Sequence, residues 1–405
     1  ADLVANLDKP QEAERSGLAL RAALFDKLEA AVGGRTRIIL APDSDLMHVP
    51  FAVLPGAHGR PLIERYQFSY VGSGRDILRF RWREVAATNA AIVAADPDFD
   101  LDQQTPVKAE HGDAPAPEAG RWTRWLSLFL PRKRPATTQP NSEASEQPAP
   151  DPQERPSSAG LQLSFKPLPG TKEEGIRVAG VLNVSPHLGA AVNKGLFLSC
   201  RAPRHVHIAT RAFFTKLAFD QAGSEDSPRS AKGGPGLVFS DPLMASGLAL
   251  AGANRRIDQG AQTADAAKGL LTARDIAGLD LTGTRLVVLP ACDCISGTAR
   301  VGWGLCGLQR SFLLAGAQTL VLSLWTAPDQ PRLELLEEFY RRVLAGENRA
   351  DALREAQLSL RRKYPQARNW GAFVCFGNPG PSSIQTAVDQ PGTQATGVRP
   401  RELPP

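Results

Sequence analysis

The 405-residue chain has no apolar run long enough to span a bilayer and no recognisable signal peptide, so neither a helical membrane protein nor a secreted one is expected. Its five cysteines, at 200, 292, 294, 306 and 375, are odd in number and lack the paired spacing of a disulfide framework. A reducing, cytoplasmic setting is therefore expected. No set of Cys and His has zinc-ligand spacing, and Gly233-Gly234-Pro235-Gly236 has neither a strand before it nor a Gly-Lys-Ser/Thr after it. No metal and no other cofactor is expected. The +5 net charge is spread along the chain without a basic–aromatic motif in the folded parts, which leaves nucleic acid off the expected partners. No internal repeat is visible. The chain opens on Ala1 rather than Met, which is compatible with a processed or excised piece and leaves open whether it is a fragment of a longer protein.

What remains is a substantial core-forming content, 42% hydrophobic, enough for one α/β unit of roughly 250–300 residues. Leu18, Leu20, Ala23, Leu24 and Leu28 predict an amphipathic helix over about 12–32, stopped by Gly33-Gly34. Strands are predicted at 37–41, 66–71, 91–95, 205–210, 286–289, 319–324 and 372–376. Helices are predicted from 171, over 304–315, 333–344 and 350–363. Thr171 and Glu174 have capping-box spacing. Apolar strands alternating with helices predict a mostly parallel sheet covered on both faces. Four divisions follow: 1–100, an inserted segment 101–160 too rich in Pro, Ser, Glu and Gln to fold, 161–378, and a tail 379–405.

The buried run Leu286-Val287-Val288-Leu289 leads through Pro290-Ala291 to Cys292, a layout that can hold a thiol nucleophile at a sheet edge. A second run, 205–210, ends at Arg211, where a general base would stand. Together with Ala95-Asp96-Pro97, Leu168-Pro169-Gly170-Thr171, Ser246-Gly247-Leu248-Ala249, Leu271-Thr272-Ala273, Ser323-Leu324-Trp325 and Trp370-Gly371-Ala372-Phe373, these landmarks resemble the CHAT domain. That family is a bacterial branch of the caspase-like and separase-like cysteine peptidases. The resemblance implies a caspase-like three-layer α/β/α sandwich. It also implies hydrolase chemistry on a protein or peptide substrate, in a bacterial defence or cell-death pathway, with a tetratricopeptide-type partner or upstream domain.

The same resemblance puts Cys292 at the nucleophile position, Arg211 at the position of the family's His, and Ala212 at that of the oxyanion-loop Gly. Pro290, Cys294-Ile295-Ser296, Trp303 and Arg332 also depart from the family pattern; Asp293, Trp303 and Asp329 are candidate pocket residues. Arginine stays protonated and cannot shuttle the thiol proton. Losing that assistance costs about 10²–10⁴ in rate, or about 3–5 kcal/mol of barrier. His207 lies roughly 13 Å back along the strand at about 3.3 Å per residue, and it reads, like His205, as a core histidine. The expectation is thus an impaired peptidase homologue acting as an interaction module, with an active Cys292 endopeptidase as the alternative. Arg211 beside the thiol would favour the thiolate; paired with Asp293 or another carboxylate, it would close the old site.

Within the insertion, Trp122, Trp125, Leu126, Phe129 and Leu130 fall on one helical face flanked by Arg121, Arg124, Arg132, Lys133 and Arg134. Over 121–134 two readings stand: a docking element for a partner groove or anionic membrane surface, or a cover for apolar surface on its own domain.

Overall fold

Short buried apolar runs become strands because both of their faces are covered. Five strands precede the first crossover away from the main sheet: β1 (Arg37–Leu40), β2 (Gln67–Tyr70), β3 (Ile92–Pro97), β4 (His187–Gly189) and β5 (His205–Ala209). Then come β6 (Ala212–Phe214), β7 (Lys216–Leu217), β8 (Val238–Phe239), β9 (Ser246–Ala249) and β10 (Leu270–Thr272). The last three are β11 (Leu286–Leu289), β12 (Thr319–Ser323) and β13 (Phe373–Gly377). Every residue of β5, β11 and β12 is buried, the mark of strands sandwiched between helix layers.

The computed structural model describes residues 2–56, 59–81, 87–101, 164–214, 216–217, 238–239, 243–254, 269–290 and 304–380. These belong to a unit formed by residues 1–101 and 160–405; a second unit, 102–159, lies outside the described residues, and so do segment 121–134 and positions 381–405.

The eight-stranded sheet has the order β1-β2-β13-β12-β11-β5-β3-β4. All neighbours are parallel except β12 and β13, which places this chain among mostly parallel α/β folds. From β3 the chain moves outward to β4, then returns to place β5 on the other side of β3. The order therefore reverses between β3 and β5, and such a switch point opens a crevice at the carboxyl ends of the two strands. A smaller antiparallel sheet, β10-β9-β6, begins directly after β5. Gly247 in β9 has no room for a side chain: an added Cβ would lie 2.3 Å from the Leu271 carbonyl and 2.8 Å from the Phe213 ring.

After a short α1 (Asp2–Ala5), the helix predicted from spacing over about 12–32 is present as α2 (Pro10–Leu20) and α3 (Asp26–Val32). A π-helical turn, Arg21–Phe25, separates the last two and shifts their phase. Phe25 is thereby turned into the core, its ring 5.4 Å from Tyr66 and 6.2 Å from Phe68, while Leu18 and Leu28 are left exposed. The remaining helices are α4 (Thr171–Leu182), α5 (Lys194–Leu198), α6 (Ala273–Ala277), α7 (Gly304–Leu314), α8 (Asp329–Leu344), α9 (Arg349–Lys363) and α10 (Ala367–Trp370). α8 packs between α4 and α9, forming one layer; α6 and α7 pack together, with α7 against β12. Among the described residues no helix is long and apolar enough to cross a membrane.

The capping box expected at Thr171 does not form. Gly170 caps α4 instead, the Thr171 hydroxyl donates to the Leu168 carbonyl at 2.8 Å, and Glu174 turns inward. A capping box does form at α6, between Thr272 and Asp275.

Candidate functional site

β5 and β11 run side by side, with His205, Val206 and His207 opposite Leu286, Val287 and Val288. The two parallel strands therefore end at the same edge of the sheet. At that edge β5 gives way to Thr210 and Arg211, and β6 starts at Ala212, opposite Leu248 of β9. The turn is fastened to β9 twice: the buried Thr210 hydroxyl donates to the Ala249 carbonyl at 2.5 Å, and Ala249 N–H donates to the Arg211 carbonyl at 2.9 Å.

Arg211 is half-buried, and its Nε donates to the Lys166 carbonyl at 2.5 Å. The segment carrying Lys166 is itself fixed. Phe165 stacks between Phe99 and Phe213, with centroids 5.7 and 6.4 Å away, beside a small apolar cluster that includes Ala249, Ala253 and Leu270. Asn254 grips the Phe165 backbone from both sides, accepting from its N–H at 2.6 Å and donating to its carbonyl at 3.0 Å.

Farther down β5, and fully buried, lies a polar network that the sequence reading did not anticipate. His207 Nε2 is 3.0 Å from Glu174 Oε1, and its Nδ1 is 3.1 Å from the Tyr340 hydroxyl. Burial, and then the Glu174 charge, push the Tyr340 phenol well above its ordinary range, so it keeps its proton as a donor. The imidazole then accepts at Nδ1 and donates from Nε2 to the carboxylate. Arg332 closes the network, with Nε 2.6 Å from Glu174 Oε2, Nη1 on the Ala327 carbonyl and Nη2 on the Pro169 carbonyl. With both ring nitrogens engaged inside the core, His207 has none to offer a thiol. His205, at the opposite end of the strand, is buried too, and burial and three nearby arginines lower its pKa to about 4.

Of the residues singled out from sequence, Arg211 and Ala212 sit together at the β5 edge. Asp329 is half-exposed at the start of α8, 2.9 Å from Arg332 Nη2 and packed on Gly170, where an added Cβ would lie 2.8 Å from the carboxylate carbon. Cys292, Asp293 and Trp303 lie outside the described residues, as do Trp122, Trp125, Leu126, Phe129 and Leu130. His187 opens edge strand β4 opposite Ala94. The signal that could have revealed the network was the pair Glu174 and Arg332: an acid and a base on the inward faces of two helices. Among the described residues no group of His, Cys, Asp and Glu could hold a metal.

The chain is 27% identical over 244 residues to human tetratricopeptide repeat protein 28, a stretch covering 56% of this chain and 9% of that protein. The mouse protein of the same name is 26% identical over 237 residues, 56% of this chain and 10% of its own. The chain thus spans about a tenth of the length of these curated relatives, and both are mammalian rather than bacterial. Among solved structures, the crystal structure of the Arg-specific cysteine proteinase gingipain R aligns with a TM-score of 0.42 at 9% identity, covering 89% of this chain and 67% of that one. The family pattern described as the CHAT domain matches residues 14–378, nearly the whole chain, and this protein belongs to that family.

Proposed function

We propose that this CHAT domain is a pseudo-peptidase, a caspase-like scaffold that binds extended peptide from other proteins without cutting it efficiently. The carrying observation is Arg211, anchored through Nε to the Lys166 carbonyl at the end of β5. A guanidinium cannot take a proton from a thiol or return one to a leaving amine. The neighbouring imidazoles do not repair the loss: His207 is locked between Glu174 and Tyr340, and His205 is buried at the far end of the strand. The retained Cys292 supports a second reading, an active endopeptidase with a partner-supplied base. The tetratricopeptide relatives support a role in protein interaction, through a repeat array in the same chain or in a partner. A cytoplasmic location belongs to the same proposal, supported by the free, buried thiols of Cys200 and Cys375.

Incubating wild type, Cys292→Ala and Arg211→His with a proteome-derived peptide library separates the two readings. The expected outcome is no cysteine-dependent cleavage by wild type and a gain of cutting in Arg211→His alone. Cleavage by wild type that disappears in Cys292→Ala would establish the endopeptidase instead.

A further inference from the structure

We infer that Arg211 and the outer edge of β6 form a receptor for an extended peptide bearing an acidic side chain, an assignment that rests on the peptide-binding reading above and names its ligand class. Three observations meet at this point. First, Arg211 stands at the carboxyl end of β5, beside the β3/β5 reversal of strand order, where an open α/β sheet presents its crevice. Second, the guanidinium is oriented in advance. Its Nε is committed to the Lys166 carbonyl, while among the described residues Nη1 and Nη2 have no partner. A planar fork held by one nitrogen, with two others unengaged, matches the paired oxygens of a carboxylate.

Third, β6 follows Arg211 directly and pairs with β9 alone among the described residues. An edge strand of this kind accepts another strand through backbone hydrogen bonds, which supply affinity without sequence preference. A peptide laid along Ala212–Phe214 would run past Arg211, and the arginine would supply the preference. The charge is complementary and the support is stiff. Lys166 is held through Phe165 by Asn254, and Pro169 by Arg332, so the guanidinium loses little freedom on binding.

An array of short synthetic peptides in matched pairs, Asp against Asn and Glu against Gln at each position, tests this directly. It is probed with the fluorescently labelled full chain as wild type, Arg211→Gln and Arg211→Lys. Wild type should retain acidic members at least about tenfold better than their amide twins, the scale of a charge-assisted hydrogen-bond pair. Arg211→Gln should abolish that preference, and Arg211→Lys, with charge but no fork, should keep only part of it. Acidic and amide twins retained equally, or a preference that survives Arg211→Gln, would overturn the receptor while leaving peptide binding intact. Failure to retain any peptide would overturn both. Cysteine-dependent cleavage with an intact acid preference would remove only the pseudo-peptidase reading.

Discussion

A single buried imidazole should make the stability of this protein depend on pH. His205 is only 5% exposed, and its Nδ1 has no hydrogen-bond partner among the described residues. Burial, followed by the positive charges of Arg204, Arg285 and Arg349, lowers its pKa from 6.5 to about 4. The unfolded imidazole gains a proton below about pH 6.5, whereas the folded one resists until about pH 4. The unfolded state therefore binds more protons across that window, and stability is lost as pH falls through it. At most about 3 kcal/mol is at stake, since each pKa unit corresponds to about 1.4 kcal/mol. Urea unfolding of wild type and His205→Gln at pH 7 and pH 5 checks this. The wild type should lose more stability between the two pH values than the variant, and equal losses would refute the assignment.

At the scale of elements, Glu174 and Arg332 join α4 to α8 beside His207 of β5. Opposite charges taken out of water hold a fold together only while both are present; removing one leaves the other stranded, at a cost of about 3–5 kcal/mol. Arg332→Ala should fall in that range by chemical denaturation, and Arg332→Met combined with Glu174→Gln should recover part of it. A single-variant loss below about 1 kcal/mol would mean that water reaches the pair. These same residues mark where sequence reading stopped. The strands 286–289 and 319–324 were legible because an uninterrupted apolar run has few other places to go. The helices from 304 onward were legible from apolar spacing and from the Gly and Pro around them. Glu174 was misread because Thr-x-x-Glu at a helix start is indistinguishable from a capping box until tertiary contacts choose its direction. The π-helical turn at Arg21–Phe25 leaves no mark in apolar spacing, since one inserted residue only rotates the pattern. Arg211 was legible as a departure from the family pattern. Its anchor, Lys166, was not, because a carbonyl acceptor carries no side-chain signature.

At the scale of the whole molecule, the central sheet is assembled from two stretches of chain: β1, β2 and β3 before position 102, and the other five strands after position 160. Each early strand has a partner from the later stretch or leads to one: β2 lies against β13, and β3 between β5 and β4. The two chain ends that flank residues 102–163 meet at a single side chain. Asn254 Nδ2 is 2.6 Å from Asp100 Oδ1 and 3.0 Å from the Phe165 carbonyl. Ends this close need almost no length to connect them. Replacing residues 102–159 with a short Gly/Ser linker should thus leave unfolding cooperative and raise stability by about 1 kcal/mol, because closing a shorter loop costs less entropy. Thermal or urea unfolding of the shortened chain reads the result. It also separates the two readings of segment 121–134: unchanged or slightly raised stability fits a docking element for another molecule. A loss of several kcal/mol would instead mean that Trp122, Trp125 and Phe129 cover apolar surface on their own domain.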